Sequence, residues 1–457
     1  MEPPNFYATG DSGGMGLSQS PAGGSGIEFS GCSQAGSDLS GAEFAGAEFS
    51  GAEFARTEFA DGQASVQFGE HLAIGRPRHV RESARHSIRK PARRLPVVPR
   101  PLRVVHVGMQ IINAGIDNWL NGLVKYSDPS RLRFVRCIVT GNLIDREVIA
   151  KRGVPVVVGG RDVVRQAVDD CDILMMAGPP DLGEWLVDKP PRLGIFVAHS
   201  VCNWTEAFLN TCRPALDHVI AVSREVQDVI CPGIPSTVIW NGVDPSHLIQ
   251  TRSREEVRAS VGSQAGDFVI GYVGRFSEEK RPEAVIEAVS RLPSRFRLLM
   301  VGWGNDGPVL EAAHRLLPGR FALIRAKDDL GDYYSAMDAF CFPSEFEGFG
   351  LVLLEAMLCS RPVIATPVGV VPEVIVDRVN GIVIDGTSDS IARAAKLLDQ
   401  HPTWARAIAE EGRRHAEQHG LATRMARQYT ELFERLWIEK FGDQGARGPG
   451  HQVTRKE

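Results

Sequence analysis

From residue 103 to residue 398 the chain repeats one pattern: a short apolar run of strand length, a turn, then a stretch with helical apolar spacing. Runs this continuous must be covered on both faces, so they build parallel sheets with helices packed over each side. The first series predicts strands at 103–107, 134–139, 154–158, 173–176, 194–197, 218–221 and 237–240, with helices including 117–126, 146–151 and 224–229. A second series predicts strands at 268–273, 297–301, 321–324, 339–342, 363–365 and 382–384. Its helices fall at 282–292, 308–316, 332–337, 351–360 and 390–398. The expected fold class is therefore α/β, with two Rossmann-like, doubly wound domains joined near 244–266. Ligands of such domains bind in the crevice at the carboxyl ends of the strands.

Composition narrows the class. The chain has 457 residues, enough for two or three cores, and its 43% hydrophobic and 23% charged content is ordinary for a globular protein. A formal net charge of −5 argues against nucleic acid as a partner. No apolar run reaches the length of a membrane span, and no basic start is followed by an apolar signal core. The eight cysteines are scattered without a CxxC pair and read as free thiols of a reducing cytoplasm, which is the expected location.

The N-terminus has a different character. Within residues 1–75, Leu39, Phe44, Phe49, Phe54 and Phe59 recur every five residues, each preceded by an acid. The period resembles pentapeptide repeats, but five repeats complete little more than one coil, so the stretch is expected to be a low-complexity tail or a docking element. The 76–101 segment reads as a basic, Pro-rich linker. Across 76–103 ten residues are Arg or Lys and Glu82 is the only acid. That suits a solvated linker or peripheral contact with anionic membrane.

The chemistry concentrates at 341–357, CFPSEFEGFGLVLLEAM. An apolar strand, a Gly-containing turn and a helix together aim unpaired N–H groups and a positive dipole end above a sheet, where an anion such as phosphate can sit. Glu347 lies on the turn, where it can reach past a phosphate. Glu355 lies one turn into the helix, where a carboxylate can accept two hydrogen bonds from a sugar diol. Upstream, Tyr272-Val273-Gly274-Arg275-Phe276 ends a strand, with Lys280 five residues after Arg275. An Arg fork and a Lys point charge converging on a diphosphate would stabilise its growing charge as it departs. Read alone, each of these elements also fits a tight turn or a pair of surface cations.

Together they resemble the retaining, nucleotide-sugar-dependent glycosyltransferases of the GT-B fold, family 4. Glu347 and Glu355 match the E-x7-E motif, and Gly274-Arg275-Phe276 with Lys280 resembles the element that grips the donor diphosphate. The resemblance implies that Arg275 and Lys280 bind the phosphates, Glu347 faces the donor sugar and Glu355 holds the ribose. Gly274, Gly348, Phe349, Gly350 and Leu351 would then supply backbone contacts. In the first domain, His199 after the fifth strand matches the histidine that contacts the donor sugar. The 113–117 turn, with Gly115, looks like the family's Gly-Gly loop, although Ala114 replaces one glycine and a plain helix N-terminus fits it too. Asn241-Gly242-Val243-Asp244 matches the hinge, and Gly369 with Glu373 matches a stretch read as structural.

The implied organisation is an acceptor domain at 102–250 and a donor domain at 251–422. A crossover helix at 423–440 packs back on the first domain, before a tail at 441–457. No D-x-D triplet accompanies the motifs, so neither a metal nor another cofactor is expected, and the implied partners are a nucleoside-diphosphate sugar and a hydroxyl acceptor. The expected reaction is sugar transfer with retention, by a front-face route in which the departing phosphate oxygen takes the acceptor's proton, with a transient enzyme nucleophile left open as the alternative. Alternatives left open are a sugar phosphorylase, a nucleotide-sugar epimerase, or a non-catalytic GT-B body acting through its N-terminal repeats. The loop at 326–331 is where base identity would be read, in a pattern that does not name the base.

Overall fold

The structure is a computed structural model, and it describes residues 98, 100–111, 115–141, 143–178, 181–325 and 329–442. The repeat stretch and nearly all of the basic linker lie outside the described residues. So do residues 113–114 of the glycine loop, 326–328 of the base loop and the tail beyond 442.

Two all-parallel sheets carry the fold. The first comprises β1 (Leu102–Gly108), β2 (Leu132–Val139), β3 (Val156–Val158), β4 (Ile173–Ala177), β5 (Leu193–Ala198), β6 (His218–Ala221) and β7 (Ser236–Val238). The second comprises β8 (Phe268–Phe276), β9 (Phe296–Gly304), β10 (Phe321–Ile324), β11 (Ala339–Phe342), β12 (Val363–Ala365) and β13 (Ile382–Val383). Their orders are β3-β2-β1-β4-β5-β6-β7 and β10-β9-β8-β11-β12-β13. Each order reverses direction beside the first strand of its sheet, and that reversal opens the crevice where doubly wound sheets bind ligands. The two domains are Rossmann-like, as the alternation of strand and helix predicts.

Differences from the expected elements have local causes. β8 runs three residues past its predicted end because Gly274, Arg275 and Phe276 stay paired with Gly302, Trp303 and Gly304 of β9. A Cβ on Gly302 would fall 1.9 Å from the Gly274 carbonyl oxygen, so this stretch of ribbon requires glycine. The Pro402–His419 helix has no counterpart in the expected elements. Its buried residues are Ile408, Ala409, Gly412 and Ala416, a stripe too thin to register as apolar periodicity.

The ordered body starts before 102. Arg100 makes a two-pronged pair with the buried Asp172 at 2.6 and 2.7 Å, so this end of the basic segment is held against the first sheet. The last helix, Ala422–Phe441, returns to the first domain and packs on the Gly115–Tyr126 helix. It buries Tyr429, Phe433 and Trp437 in a core cluster that both domains share, while Arg131–Glu434 and Lys440–Asp217 pair at its rim. Phe441 belongs to this helix and not to a frayed tail: its ring lies 4.4 Å from Trp437 and under the Arg192 guanidinium.

The two chain crossings between domains are joined to each other. Val243 donates to Gly420 O and accepts from Ala422 N, at 2.8 and 2.9 Å. A Cβ on Gly242 would lie 2.4 Å from Ala422 Cα, so the hinge glycine is demanded by close backbone approach. Asp244 then caps the short turn at Pro245–Leu248 and takes Lys125 Nζ at 2.7 Å and Tyr126 OH at 2.9 Å. Burial opposes its charge, but these donors outweigh it and hold the carboxyl down at about 2. Among the described residues no helix is long and apolar enough to cross a membrane, and the seven cysteines are free thiols.

Candidate active site

The expected donor-site residues converge at the carboxyl edge of the second sheet. Gly350, at φ 99°, begins the Leu351–Leu358 helix, and a Cβ there would press to 2.8 Å of the Phe342 ring. The φ and the packing both require glycine, which lets the 348–351 backbone turn tightly over β11. Lys280 Nζ pairs with Glu347 Oε1 at 2.7 Å, and Ser344 Oγ donates to the same oxygen at 3.2 Å. Arg275 pairs with Glu279 Oε1 at 2.6 Å, while Tyr272 OH fixes the Arg275 carbonyl at 2.7 Å. Glu345 N donates to Glu279 O at 2.8 Å, so the two motif segments are bonded through backbone as well as charge. The Arg275 side chain is 50% exposed and that of Lys280 19%, leaving both cations reachable.

Glu355 sits deeper. It is buried, with Tyr334 OH donating to Oε2 at 3.0 Å and His247 Nε2 against Oε1 at 3.2 Å. A carboxylate accepts about four hydrogen bonds, so acceptor capacity remains for a diol. Burial disfavours charge on His247, but the Glu355 carboxylate and Asp244 outweigh it and raise its pKa. Tyr334 is pushed well above the usual phenol range, first by burial and then by Glu355, so it stays a hydrogen-bond donor.

The first domain closes over this edge. A Cβ on Gly348 would fall 1.8 Å from the His199 carbonyl oxygen, and a Cβ on Gly115 would touch Leu351 Cδ1 at 3.7 Å. His199, Gly115, the 348–351 turn, Lys280 and Glu347 are therefore brought into one place from both sheets. The His199 ring stands edge-on to Trp119, centroids 4.5 Å apart, with Nε2 shielded and without a protein partner. Burial pushes its pKa down to about 3, so the imidazole is neutral near pH 7. His106 lies nearby on β1, also held neutral by burial, and Asp117 pairs with the buried Arg152 at 2.6 Å beside it.

Several contributors have no motif. Ser223, the N-cap of the Arg224–Ile230 helix, donates from Oγ to Gly348 O at 2.9 Å. Glu225 accepts from Gly369 N, and burial followed by repulsion from Glu347 raises its pKa. Glu373 takes Arg224 N at 2.7 Å and Trp240 Nε1 at 3.0 Å, which is an interdomain tie. Ser223 carried a legible signal, a serine directly before an apolar-periodic helix. Tyr334 and His247 carried none, because they meet Glu355 across 21 and 108 residues of chain.

Comparison with known proteins bears on the same regions. Residues 253–415 match the family described as glycosyl transferases group 1. D-inositol 3-phosphate glycosyltransferase of Rhodococcus opacus is 32% identical over 206 residues, 42% of this chain and 44% of that protein. The chain thus spans less than half the length of that relative. Alpha-maltose-1-phosphate synthase of Mycolicibacterium smegmatis is 26% identical over 263 residues, covering 52% and 67%. The crystal structure of Anabaena HepE in complex with UDP and glucose superposes with a TM-score of 0.64 at 21% identity, over 73% of this chain and 99% of that one. By architecture the chain has the GT-B fold, and its second domain carries a glycosyl transferases group 1 segment.

Proposed function

We propose that this protein transfers a sugar from a nucleoside-diphosphate sugar to an acceptor hydroxyl with retention of anomeric configuration. The observation that carries the reading is that Lys280 pairs with Glu347 beside the 348–351 turn and Arg275 with Glu279, whose carbonyl accepts from Glu345 N, with Glu355 on the helix that follows. Two cations and a row of helix-start amides suit a diphosphate whose charge grows as its bond to the sugar breaks. Glu347, steadied by Lys280 and Ser344, is placed to accept from donor sugar hydroxyls, and Glu355 from the ribose. The relatives' names support sugar transfer, and the neighbour crystallised with UDP and glucose supports a nucleotide-sugar donor.

In the reaction the C1–O bond to the diphosphate breaks and the acceptor oxygen bonds C1 on the same face. The acceptor's proton passes to the departing phosphate oxygen. Neutral His199 can take or give a hydrogen bond to the sugar without adding charge. Arg275 and Lys280 supply the positive charge that a divalent ion would otherwise provide, so transfer is proposed to proceed without added metal. Thermal stabilisation of the purified protein by UDP-, GDP- and ADP-sugars, without metal, tests the reading. A shift with one nucleotide series that disappears in Glu355→Ala is expected. No shift with any of them would overturn it in favour of a non-catalytic body.

A further inference from the structure

At the C-terminal end of the Leu351–Leu358 helix, lined by none of residues 348–351, a cavity of about 430 Å³ opens where the domains are joined. Both crossings contribute to its wall, Ile249 and Gln250 from the first and Leu421 from the second. Gly331, Cys359, Arg361, Arg413 and the acid Glu417 are among the second-domain residues that line the rest.

Its electrostatics are unbalanced. Arg361 donates through Nε to Cys359 O at 2.9 Å and through Nη1 to Met337 O at 2.7 Å, but it takes no ion pair among the described residues. Asp338, the nearest acid to act on it, is already shared by Arg254 and Arg258. Burial, then repulsion from Arg254, lowers the Arg361 pKa to about 10. Arg361 and Arg413 both line the cavity. Arg413 is matched by Glu417 at 2.7 Å, whereas Arg361 is unmatched. A partly buried guanidinium keeps its charge, and with Nε and Nη1 turned to backbone carbonyls, Nη2 is left to donate to an oxyanion. Leu248, Ile249 and Leu421 offer apolar surface beside it.

We propose that this cavity binds a small organic anion, with a phosphate or carboxylate head on Arg361 and an apolar portion against Leu248, Ile249 and Leu421. A ligand seated there touches both crossings at once. The site stands apart from the donor turn and does not depend on the assigned reaction.

The test is thermal stability of the full chain with inorganic phosphate or citrate, against sodium chloride at matched ionic strength. Phosphate and citrate separate a phosphoryl from a carboxylate ligand. Occupancy is expected to raise Tm by about 2 °C or more at saturation. That rise should persist in Arg275→Ala, which alters the donor turn, and be lost in Arg361→Met. Because Arg361→Met also releases backbone carbonyls, Ile249→Glu supplies a second arm. Ile249 is 64% exposed, so a carboxylate there spares the fold while repelling an anion at the cavity wall. A rise that vanishes in Arg275→Ala, a rise unchanged by Ile249→Glu, or no rise with either anion would each overturn the proposal.

Discussion

At the carboxyl edge of the β8–β13 sheet the side chains meet as ions within reach of solvent: Arg275 with Glu279, and Lys280 with Glu347. At the same edge of the β1–β7 sheet they meet as neutral rings, His199 and His106 around Trp119. The ion pair beside those rings, Asp117–Arg152, has an arginine side chain only 2% exposed. Two sheets of one topology thus divide the labour by dielectric. Exposed cations can exchange a carboxylate for a phosphate at little cost, while a sealed pair cannot. The first domain is left to offer shape and uncharged hydrogen bonds.

The sharpest way to break this contrast is to remove one cation on each side. Arg152→Met takes the guanidinium away from the buried Asp117 carboxylate and should cost about 3–5 kcal/mol in urea unfolding. A loss under about 1 kcal/mol would mean the pair is not sealed. Arg275→Ala should leave stability nearly unchanged but remove about 2–4 kcal/mol of transition-state stabilisation. Less than a tenfold fall in turnover, with the donor identified by thermal shift, would count against the diphosphate role. Ser223→Ala tests the contact that joins the two edges. It leaves a buried Gly348 carbonyl without its donor and should lower stability by about 1–3 kcal/mol. An unchanged urea midpoint would show that the domains meet without it.

The smallest effect concerns the neutral rings. The folded pKa of His199, about 3, lies below its unfolded value near 6.5, so between them the unfolded chain binds the extra proton. Stability is therefore lost as pH falls below about 6.5, and His106 acts in the same direction. His199→Phe should flatten the urea midpoint between pH 7 and pH 5.5. Identical slopes in variant and parent would remove His199 from the account.

The same division explains what was legible in the chain. The second-domain residues of the candidate site sit in short local units of strand, glycine turn and helix, which fix their spacing. Gly274, Gly350 and the Glu347–Glu355 interval could be read for that reason, although only their resemblance to a known family singled them out. First-domain contributors are placed by tertiary contact. Nothing near Trp119 announces that His199 will lie against it, and nothing near Ser223 announces the Gly348 carbonyl. The Pro402–His419 helix escaped for a related reason. Its exterior is charged, and its narrow inner face uses alanine and glycine to approach Asn380 and Met357 closely.

The returning Ala422–Phe441 helix also orders events at the ribosome. Residues 268–383 give a complete second sheet as they emerge, so the second domain can close its strands during synthesis. The first sheet is translated earlier, yet Tyr429, Phe433 and Trp437, which pack against it, arrive only after the whole second sheet. Until then its apolar groove under that helix is open. At about 5–20 residues per second, the domain made first spends on the order of ten seconds or more awaiting its last wall. That interval is when the nascent chain is most open to chaperones and to aggregation.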